Sequence, residues 1–464
     1  MKHPVASIPA LPACQWASHG SRHASRAKPH RWFGTRAVES LATSLCVLAW
    51  ASAAYAADPV RAMPVDAFID TLAVVTHVNY TDGAYANVRN VADDMNWLGL
   101  RHVRDYTPGP SAPFESYVFL AQRGVRFNFL VRSNIAESVD LAAQLNTAVP
   151  GSVAAIEGFN EIDNFPVPYR GLNGTPAGLA AQRDIYARVR STPALAGVPV
   201  FDLTGYDLKS VETRAGSADY ANQHAYPQNG DQPSYNAPHG GSWIPSAIDS
   251  IKKYNLPVVI TEFGYFSMPQ SGWYMIGVDE ATQAKGILNG YMDSAAAGVK
   301  RIYIYELLDE KSDPQNKSGE MHFGMFRFDN SPKPVAHAVR NLTTILKAST
   351  TPRAKDAARN TLSYTLSDMP PSANSLLLQK KDGRFVLALW NETKIWDRAK
   401  GTPVTMPPAR VNVDFGATAR RVDVYDPLVS AAPIASQRDV RQLPIDVPDH
   451  VILLEVTLAD TPGT

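Results

Sequence analysis

The chain has 464 residues, 45% hydrophobic and 19% charged, which is enough apolar material for a large globular core. Lys plus Arg equals Asp plus Glu at 44 each, so the chain carries no formal net charge. The charge balance therefore gives no indication of a polyanionic partner such as a nucleic acid. The balance is uneven, because residues 1–56 contain six basic residues and one acidic residue, which leaves 38 basic and 43 acidic residues in the remainder.

Residues 1–56 have the pattern of a removable leader. An apolar run from Leu41 to Ala54 follows a basic stretch, and Ala54-Tyr55-Ala56 places small residues where a signal peptidase reads. The run is shorter than the ~20 residues that a membrane-spanning helix needs. We therefore expect a signal peptide, a mature chain without a membrane span, and a secreted or periplasmic protein. A disordered tail with a membrane anchor is the alternative.

From residue 57 to 349, short β-branched or aromatic runs alternate with longer helical patterns, which is typical of a parallel sheet with crossover helices. Eight runs of this kind within about 280 residues match a closed (β/α)8 TIM barrel in number and size. The predicted strands are Ala73–His77, Arg101–Asp105, Arg126–Val131, Ala154–Phe159, Val200–Thr204, Tyr220–Ala225, Pro257–Glu262 and Arg301–Tyr305.

Helical spacing of apolar residues marks the segments between these strands. Val88, Val91, Met95 and Leu98 define one helix, and Gly99 is its expected C-cap. Further helices are predicted at Ser138–Leu145, Leu179–Arg190, Pro245–Tyr254, Glu280–Ala297 and Val335–Leu346.

A different pattern begins near residue 350. Strand-like runs flank the hairpin signal Lys381-Asp382-Gly383, and further runs follow at the spacing of an all-β module. We therefore predict a small C-terminal antiparallel β-sandwich over residues 350–464. Its predicted strands are Ser375–Gln379, Arg384–Trp390, Val411–Phe415, Arg421–Tyr425 and His450–Leu458, with an early strand between Thr351 and Asn374.

Two glutamates stand where barrel strands end. The fourth predicted strand leads to Asn160-Glu161, and the seventh leads to Glu262. Active sites of such barrels are built at the carboxyl ends of the strands, and strands 4 and 7 lie across the barrel from each other. Hydrolysis of a glycoside with retention uses two carboxyl groups that face each other about 5 Å apart. We therefore expect Glu161 to be the acid/base and Glu262 the nucleophile.

The residues around both glutamates resemble the catalytic signatures of clan A glycoside hydrolases. Asn160-Glu161 looks like the acid/base motif of the clan, and Thr261-Glu262-Phe263-Gly264 looks like its nucleophile motif. The resemblance covers most of residues 64–346, and a β-sandwich after the barrel is common in the clan. Within the clan the chain looks closest to family 39, which includes bacterial exopolysaccharide hydrolases.

The same resemblance implies roles for further residues. Arg104, near the end of the second strand, matches the arginine that lies beneath the nucleophile in the clan. His224-Ala225-Tyr226 matches a His-x-Tyr motif whose tyrosine hydrogen-bonds the nucleophile. Asn160 would contact the 2-hydroxyl of the sugar, a bond that strengthens in the transition state.

The eighth strand departs from the clan pattern, because it has no tryptophan to form a platform beneath the sugar. Tyr305 on that strand, or Trp273 in the loop after the seventh strand, would then stack on the sugar. The departure leaves the identity of the sugar open. Other candidates at the rim of the pocket are His77, Asn79, Glu306 and Asp309, with His322 equally well explained as a structural loop residue.

Each candidate also has a purely structural explanation. A glutamate after a strand is most often a surface acid, and Arg104 could pair with Asp105. A barrel histidine such as His224 is often simply a hydrogen-bonded core residue. The paired glutamates, each with the expected neighbours at the expected strand ends, favour the catalytic interpretation.

Other chemistries lack their residues in this sequence. It contains no His-Glu-x-x-His, Gly-rich phosphate loop, EF-hand or Gly-x-Ser-x-Gly motif, so we expect neither a metal nor any other cofactor. Both cysteines, Cys14 and Cys46, lie in the leader, which excludes disulfides and a thiol nucleophile from the mature chain.

The sequence therefore predicts an exported glycosidase that hydrolyses O-glycosyl compounds, with an oligo- or polysaccharide as its partner and no nucleic acid. Its substrate would be β-linked and its mechanism a two-glutamate double displacement. Two alternatives stay open: a transglycosylase that uses the same carboxylates, and a non-catalytic carbohydrate-binding or matrix protein on a barrel scaffold.

Overall fold

The computed structural model describes residues 58–109, 111–205, 213–235, 243–270, 276–349 and 360–459. The predicted leader with both cysteines, and Trp273, lie outside the described residues. The strands are β1 Pro59–Arg61, β2 Met63–Pro64, β3 Leu72–Val75, β4 His102–Tyr106, β5 Arg126–Leu130, β6 Val153–Glu157, β7 Val200–Phe201, β8 Ala221–His224, β9 Val258–Phe263, β10 Ile302–Ile304, β11 Thr361–Ser363, β12 Thr365–Ser367, β13 Ala373–Gln379, β14 Phe385–Asn391, β15 Trp396–Asp397, β16 Thr402–Pro403, β17 Ala409–Tyr425, β18 Ala435–Val447 and β19 Ile452–Leu458.

The helices alternate with the strands in the first two thirds of the chain. They are α1 Val65–Thr71, α2 Val88–Leu98, α3 Phe114–Gln122, α4 Ile135–Ala148, α5 Gly174–Ser191, α6 Trp243–Ile251, α7 Glu280–Ala296 and α8 Pro334–Lys347. Gly99 ends α2 in the left-handed conformation (φ 71°), as the sequence pattern predicts. None of the helices in the described segments is both long and apolar enough to cross a bilayer.

Strands β3 to β10 form the predicted TIM barrel. All eight pair in parallel in the order β7-β6-β5-β4-β3-β10-β9-β8, and a bridge between Phe201 and Tyr220 joins the two ends. The strands are buried on both faces and are rich in Val, Ile and Phe, which explains why they read as continuous apolar runs in the sequence. The eight predicted barrel strands are confirmed, with shifts of one to three residues at their ends.

The C-terminal region is the predicted antiparallel module. Its main sheet runs β12-β17-β19-β14-β13-β2, and β18 pairs with β17 over its length. The register of β17 shifts between Asp414 and Ala419, so its two halves pair with different neighbours. Val411 and Val413 from the first half pack into one core with Leu387 and Leu454, which closes the sheet on itself as a sandwich.

The N-terminal segment of the described chain pairs with strands of the C-terminal region, β1 in a two-stranded sheet with β11 and β2 at the edge of the main sheet. Residues 59–64 fall within the predicted 57–349 barrel region, yet β1 pairs antiparallel with β11 and β2 pairs parallel with β13. The sandwich is also held to the barrel by buried polar contacts. Trp390 Nε1 donates to Asp293 Oδ1 at 2.8 Å, and Glu392 Oε1 accepts from the backbone N–H of Ser234 at 3.1 Å.

Asp293 and Glu392 form a pair of neighbouring carboxyl groups at this interface. Burial raises the pKa of Asp293 to about 6, and burial together with the negative charge of Asp293 raises the pKa of Glu392 well above its ordinary value. Both groups are therefore stabilised in their protonated forms when the sandwich is docked on the barrel.

Candidate active site

Both predicted catalytic glutamates lie at the carboxyl end of the barrel. Glu161 follows β6 by four residues, and Glu262 is the fifth residue of β9. Glu161 adopts a left-handed backbone conformation (φ 39°), and its N–H donates to Thr204 Oγ1 at 2.8 Å, which anchors that conformation. One carboxylate oxygen of Glu161 and one of Glu262 lie within 4.8 Å of each other. The two acids therefore lie close enough to act on one bond from opposite strands of the barrel.

Arg104 lies beneath Glu262, as the resemblance implies. Its Nη1 donates to Glu262 Oε1 at 2.5 Å, and its Nη2 donates to Asn160 Oδ1 at 2.7 Å. Its Nε and Nη2 bind Glu157 at 2.9–3.0 Å. Burial opposes the charge of Arg104, but Glu157 and Glu262 raise its pKa, so it stays a cation.

Glu157 supports the site from within the barrel, and it was not among the site residues predicted from the sequence. It is 1% exposed on β6, and besides Arg104 it accepts hydrogen bonds from Asn128 on β5, Asn222 on β8 and Thr261 on β9. These donors from four neighbouring strands account for both of its carboxylate oxygens. A signal was available, because a charged residue within a buried parallel strand must be paired with a polar partner.

Tyr226 and His224 complete the immediate surroundings of the glutamates. Tyr226 Oη donates to Glu262 Oε2 at 2.7 Å, and burial together with that carboxylate raises the pKa of Tyr226 well above 10, so the phenol remains a donor. His224 Nδ1 lies 2.7 Å from Glu161 Oε1 and 3.5 Å from Glu262 Oε2. The imidazole therefore bridges the two acids.

The environment of Glu161 favours its ionised form. Burial raises the pKa of this carboxyl, but the hydrogen bond and charge of His224 and the hydrogen bond from Asn164 outweigh burial and lower the pKa to about 2. Without a bound sugar, Glu161 is therefore held as a carboxylate, the form that can accept a proton.

Further predicted residues lie beside three neighbouring acidic side chains, Glu306, Glu310 and Glu320, which we call the acidic wall. Tyr305 joins Glu306 by a cis peptide bond, and its ring packs edge-on against Tyr226 (centroids 6.3 Å apart) and His77 (5.5 Å). The Tyr305 hydroxyl donates to Glu320 Oε1 at 2.6 Å. Glu306 is fully enclosed and accepts from Tyr85 Oη at 2.9 Å.

Other rim candidates are distributed differently. Asn79 is half-buried after β3, and its Oδ1 has no hydrogen-bond partner among the described residues. Asp309 binds Lys333 Nζ at 2.7 Å and the N–H of Gly324 at 2.8 Å, so it holds the loop after β10 together. His322 pairs with Asp313 at 3.3 Å. Glu310 and Glu320, which the sequence did not single out, join the acidic wall instead.

No protein-family profile matches the chain, and no curated protein matches it in sequence. Solved structures do resemble it. A family 39 glycoside hydrolase from the gut symbiont Bacteroides cellulosilyticus WH2 superimposes with a TM-score of 0.57 at 14% identity, covering 85% of this chain and 81% of that chain. The GH39 enzyme from Xanthomonas axonopodis pv. citri superimposes with a TM-score of 0.50 at 16% identity, covering 86% of this chain and 96% of that one. These likenesses establish the fold: a (β/α)8 barrel followed by a β-sandwich.

Proposed function

We propose that the protein is an exported retaining glycoside hydrolase that cleaves β-linked sugars of polysaccharide origin. The observation that carries the proposal is the separation of the two acids, with one oxygen of Glu161 and one of Glu262 within 4.8 Å. Retaining glycosidases place their carboxyl groups about 5–5.5 Å apart, whereas inverting enzymes need about 6.5–9.5 Å to admit a water molecule. The fold of the two GH39 structures supports the same class.

Glu262 is the nucleophile in this mechanism. Arg104 and Tyr226 each donate to one of its oxygens, which fixes the direction of the attacking carboxylate. Attack on the anomeric carbon forms a glycosyl-enzyme ester and releases the leaving oxygen. The proton on that oxygen must come from the opposite face, where Glu161 lies.

Glu161 acts with His224 as one proton-carrying unit. The 2.7 Å contact between His224 Nδ1 and Glu161 Oε1 lets the pair hold a proton next to the leaving oxygen. A bound sugar excludes water from the cleft, and burial raises the pKa of Glu161, which favours the protonated acid for the first step. After the leaving group departs, the carboxylate form accepts a proton from the attacking water.

The proposal of export rests on the leader pattern. The proposal of a polysaccharide substrate rests on the length of the segments between β6 and α5 and between β8 and α6. These proposals are separate from the reaction class, because the acid pair works in the same way on any sugar that fits the cleft.

A glycan-panel digest with product sizing tests the proposed function. We expect the wild-type protein to shorten at least one β-linked glycan, and Glu161→Gln and Glu262→Gln to abolish that cleavage. Asp249→Asn is the matched control, because Asp249 is exposed near the C-terminal end of α6, which is the end of that helix away from the barrel mouth.

The alternatives give different results in the same experiment. Wild-type-like cleavage by Glu262→Gln would contradict the assignment of the nucleophile. Binding to glycans without cleavage of any would identify a carbohydrate-binding protein instead. Products longer than the substrate at high acceptor concentration would identify a transglycosylase.

A further inference from the structure

A second group of ionisable side chains lies beside the acid pair. We define the His77 cluster as His77, which follows β3 by two residues, and Glu306 and Glu310, which follow β10. All three side chains are buried, with His77 7% and Glu310 6% exposed and Glu306 fully enclosed. The proposed hydrolysis uses none of them.

The atoms of the His77 cluster converge on one point. His77 Nε2 lies 3.5 Å from Glu306 Oε2 and 3.8 Å from Glu310 Oε1, and one ligand atom from each residue lies within 4.8 Å of the others. Ligands about 2.1 Å from a tetrahedral metal are separated from each other by about 3.4 Å. The spacing of the cluster is therefore close to that of a metal coordination shell.

The cluster also has unpaired polar atoms deep in the protein. Neither ring nitrogen of His77 makes a hydrogen bond among the described residues, although Nε2 points at two carboxylates. Glu306 Oε1 is likewise without a partner. Buried polar atoms almost always have a partner, so a buried imidazole whose Nε2 faces two carboxylates without a hydrogen bond indicates a bound species between them.

The cations that the structure describes do not supply that species. Within the described segments, no Lys or Arg forms an ion pair with Glu306, Glu310 or the adjacent Glu320. The catalytic pair differs in this respect, because Glu161 Oε1 is already hydrogen-bonded to His224 Nδ1 at 2.7 Å. The His77 cluster is thus the more open of the two groups toward a cation.

We propose that His77, Glu306 and Glu310 bind one divalent transition-metal ion of the type of Zn²⁺ or Mn²⁺. One imidazole with two carboxylates is a ligand set for these ions, whereas Mg²⁺ and Ca²⁺ prefer all-oxygen sites with more ligands. Tyr85 Oη, which donates to Glu306 Oε2 at 2.9 Å, orients one ligand as outer-shell partners do. The site goes beyond the proposed hydrolysis and does not depend on it.

Two tyrosine rings would separate the ion from the nucleophile. The ring of Tyr305 packs between His77 and Tyr226, and Tyr226 binds Glu262. A divalent cation at this position offsets the negative charge of the acidic wall. It also holds in place the side chains that form this side of the cleft.

Metal binding to the full-length protein tests this proposal directly. After treatment with a chelator, titration with ZnCl₂ and MnCl₂ is followed by calorimetry and by metal analysis after dialysis. We expect one ion per chain, bound at least about tenfold more tightly than Ca²⁺ or Mg²⁺. His77→Gln and Glu306→Gln should each weaken binding by about 100-fold or more, since changes even outside the ligand shell cost 10- to 100-fold.

Glu262→Gln is the matched control, because it alters the other His–Glu group and should leave metal affinity unchanged. If a His77 or Glu306 variant does not fold, the visible spectrum of the Co²⁺-loaded wild-type protein still reports whether the ion is held by protein ligands. Absence of stoichiometric binding by the wild type, a Co²⁺ spectrum identical to that in buffer, or equal weakening by Glu262→Gln would overturn the proposal. None of these readouts requires hydrolytic activity, so the failure of one proposal is distinguishable from that of the other.

Discussion

Replacement of Arg104 by methionine is the perturbation whose effect the structure defines best. Arg104 is the buried cation between Glu157, 1% exposed, and Glu262, 8% exposed, and it donates to both and to Asn160. Methionine fills similar space without charge, so two enclosed carboxylates lose their counter-ion. Breaking a buried ion pair in this way costs about 3–5 kcal/mol of unfolding free energy.

The matched control is Arg101→Met at the start of the same strand. The Arg101 side chain is 55% exposed and lies 3.4 Å from Asp70, and surface pairs of this kind contribute about 0–1 kcal/mol. Denaturant unfolding at neutral pH compares the two variants with the wild type.

Hydrolysis should also fall in Arg104→Met, because Glu262 loses the donor to Oε1 that directs it. If Arg104→Met were no less stable than Arg101→Met at neutral pH, the account of Arg104 as the central cation would be refuted. Full activity with the expected instability would separate the structural role of Arg104 from its role at the nucleophile.

Three further predictions concern single contacts. Tyr226→Phe removes the 2.7 Å hydrogen bond to Glu262 and should lower kcat about 10- to 100-fold, measured with saturating substrate; an unchanged kcat would contradict its role. Because the pKa of Glu161 is lowered to about 2, it stabilises the fold above its usual pKa of 4.5 and that contribution is lost as the pH falls toward 2. His224→Ala should raise this pKa and weaken the acid dependence of the unfolding free energy, whereas an identical dependence would refute the proposed coupling. The pKa of Glu392 is raised, so its protonated form stabilises the fold and that stability is lost as the pH rises. Glu392→Gln should therefore have a higher Tm than the wild type at about pH 8 but not at about pH 5. An equal shift of Tm at both pH values would contradict this prediction.

The barrel could be predicted from sequence because its strands are short apolar runs enclosed on both faces. The positions of Glu161 and Glu262 follow from the same pattern, since each stands where a predicted strand ends. Two helices, α1 and α3, were not predicted. In α3, six of nine residues are not buried, so the apolar positions of Phe114–Gln122 do not mark a single buried face.

Long-range pairing limited the prediction elsewhere. Strand β18 is mostly exposed and carries Arg438, Asp439 and Arg441 along one edge of the sandwich, a pattern that resembles a loop. The pairing of β1 and β2 joins residues about 300 positions apart in the chain, and no local periodicity encodes such contacts.

The residues that support the active site could not be predicted from the sequence, for a related reason. Glu157, Asn128 and Asn222 lie on three different strands, and only the closed barrel brings them to one carboxylate. In the sequence, Asn128 and Glu157 each stand as a single polar residue between apolar neighbours, and Asn222 stands among other polar residues. Their convergence, and that of His77 with Glu306, depends on which strands are neighbours and on which side chains point into the barrel.

The anomeric configuration of the first product tests the central claim most directly. Proton NMR of a digest of the best glycan, recorded before mutarotation, should show the same configuration as the bond that was cleaved. Glu262→Gly with added azide should give a glycosyl azide of the opposite configuration, because azide then replaces the missing nucleophile in a single displacement. A first product of inverted configuration from the wild type would contradict a double displacement at the Glu161–Glu262 pair.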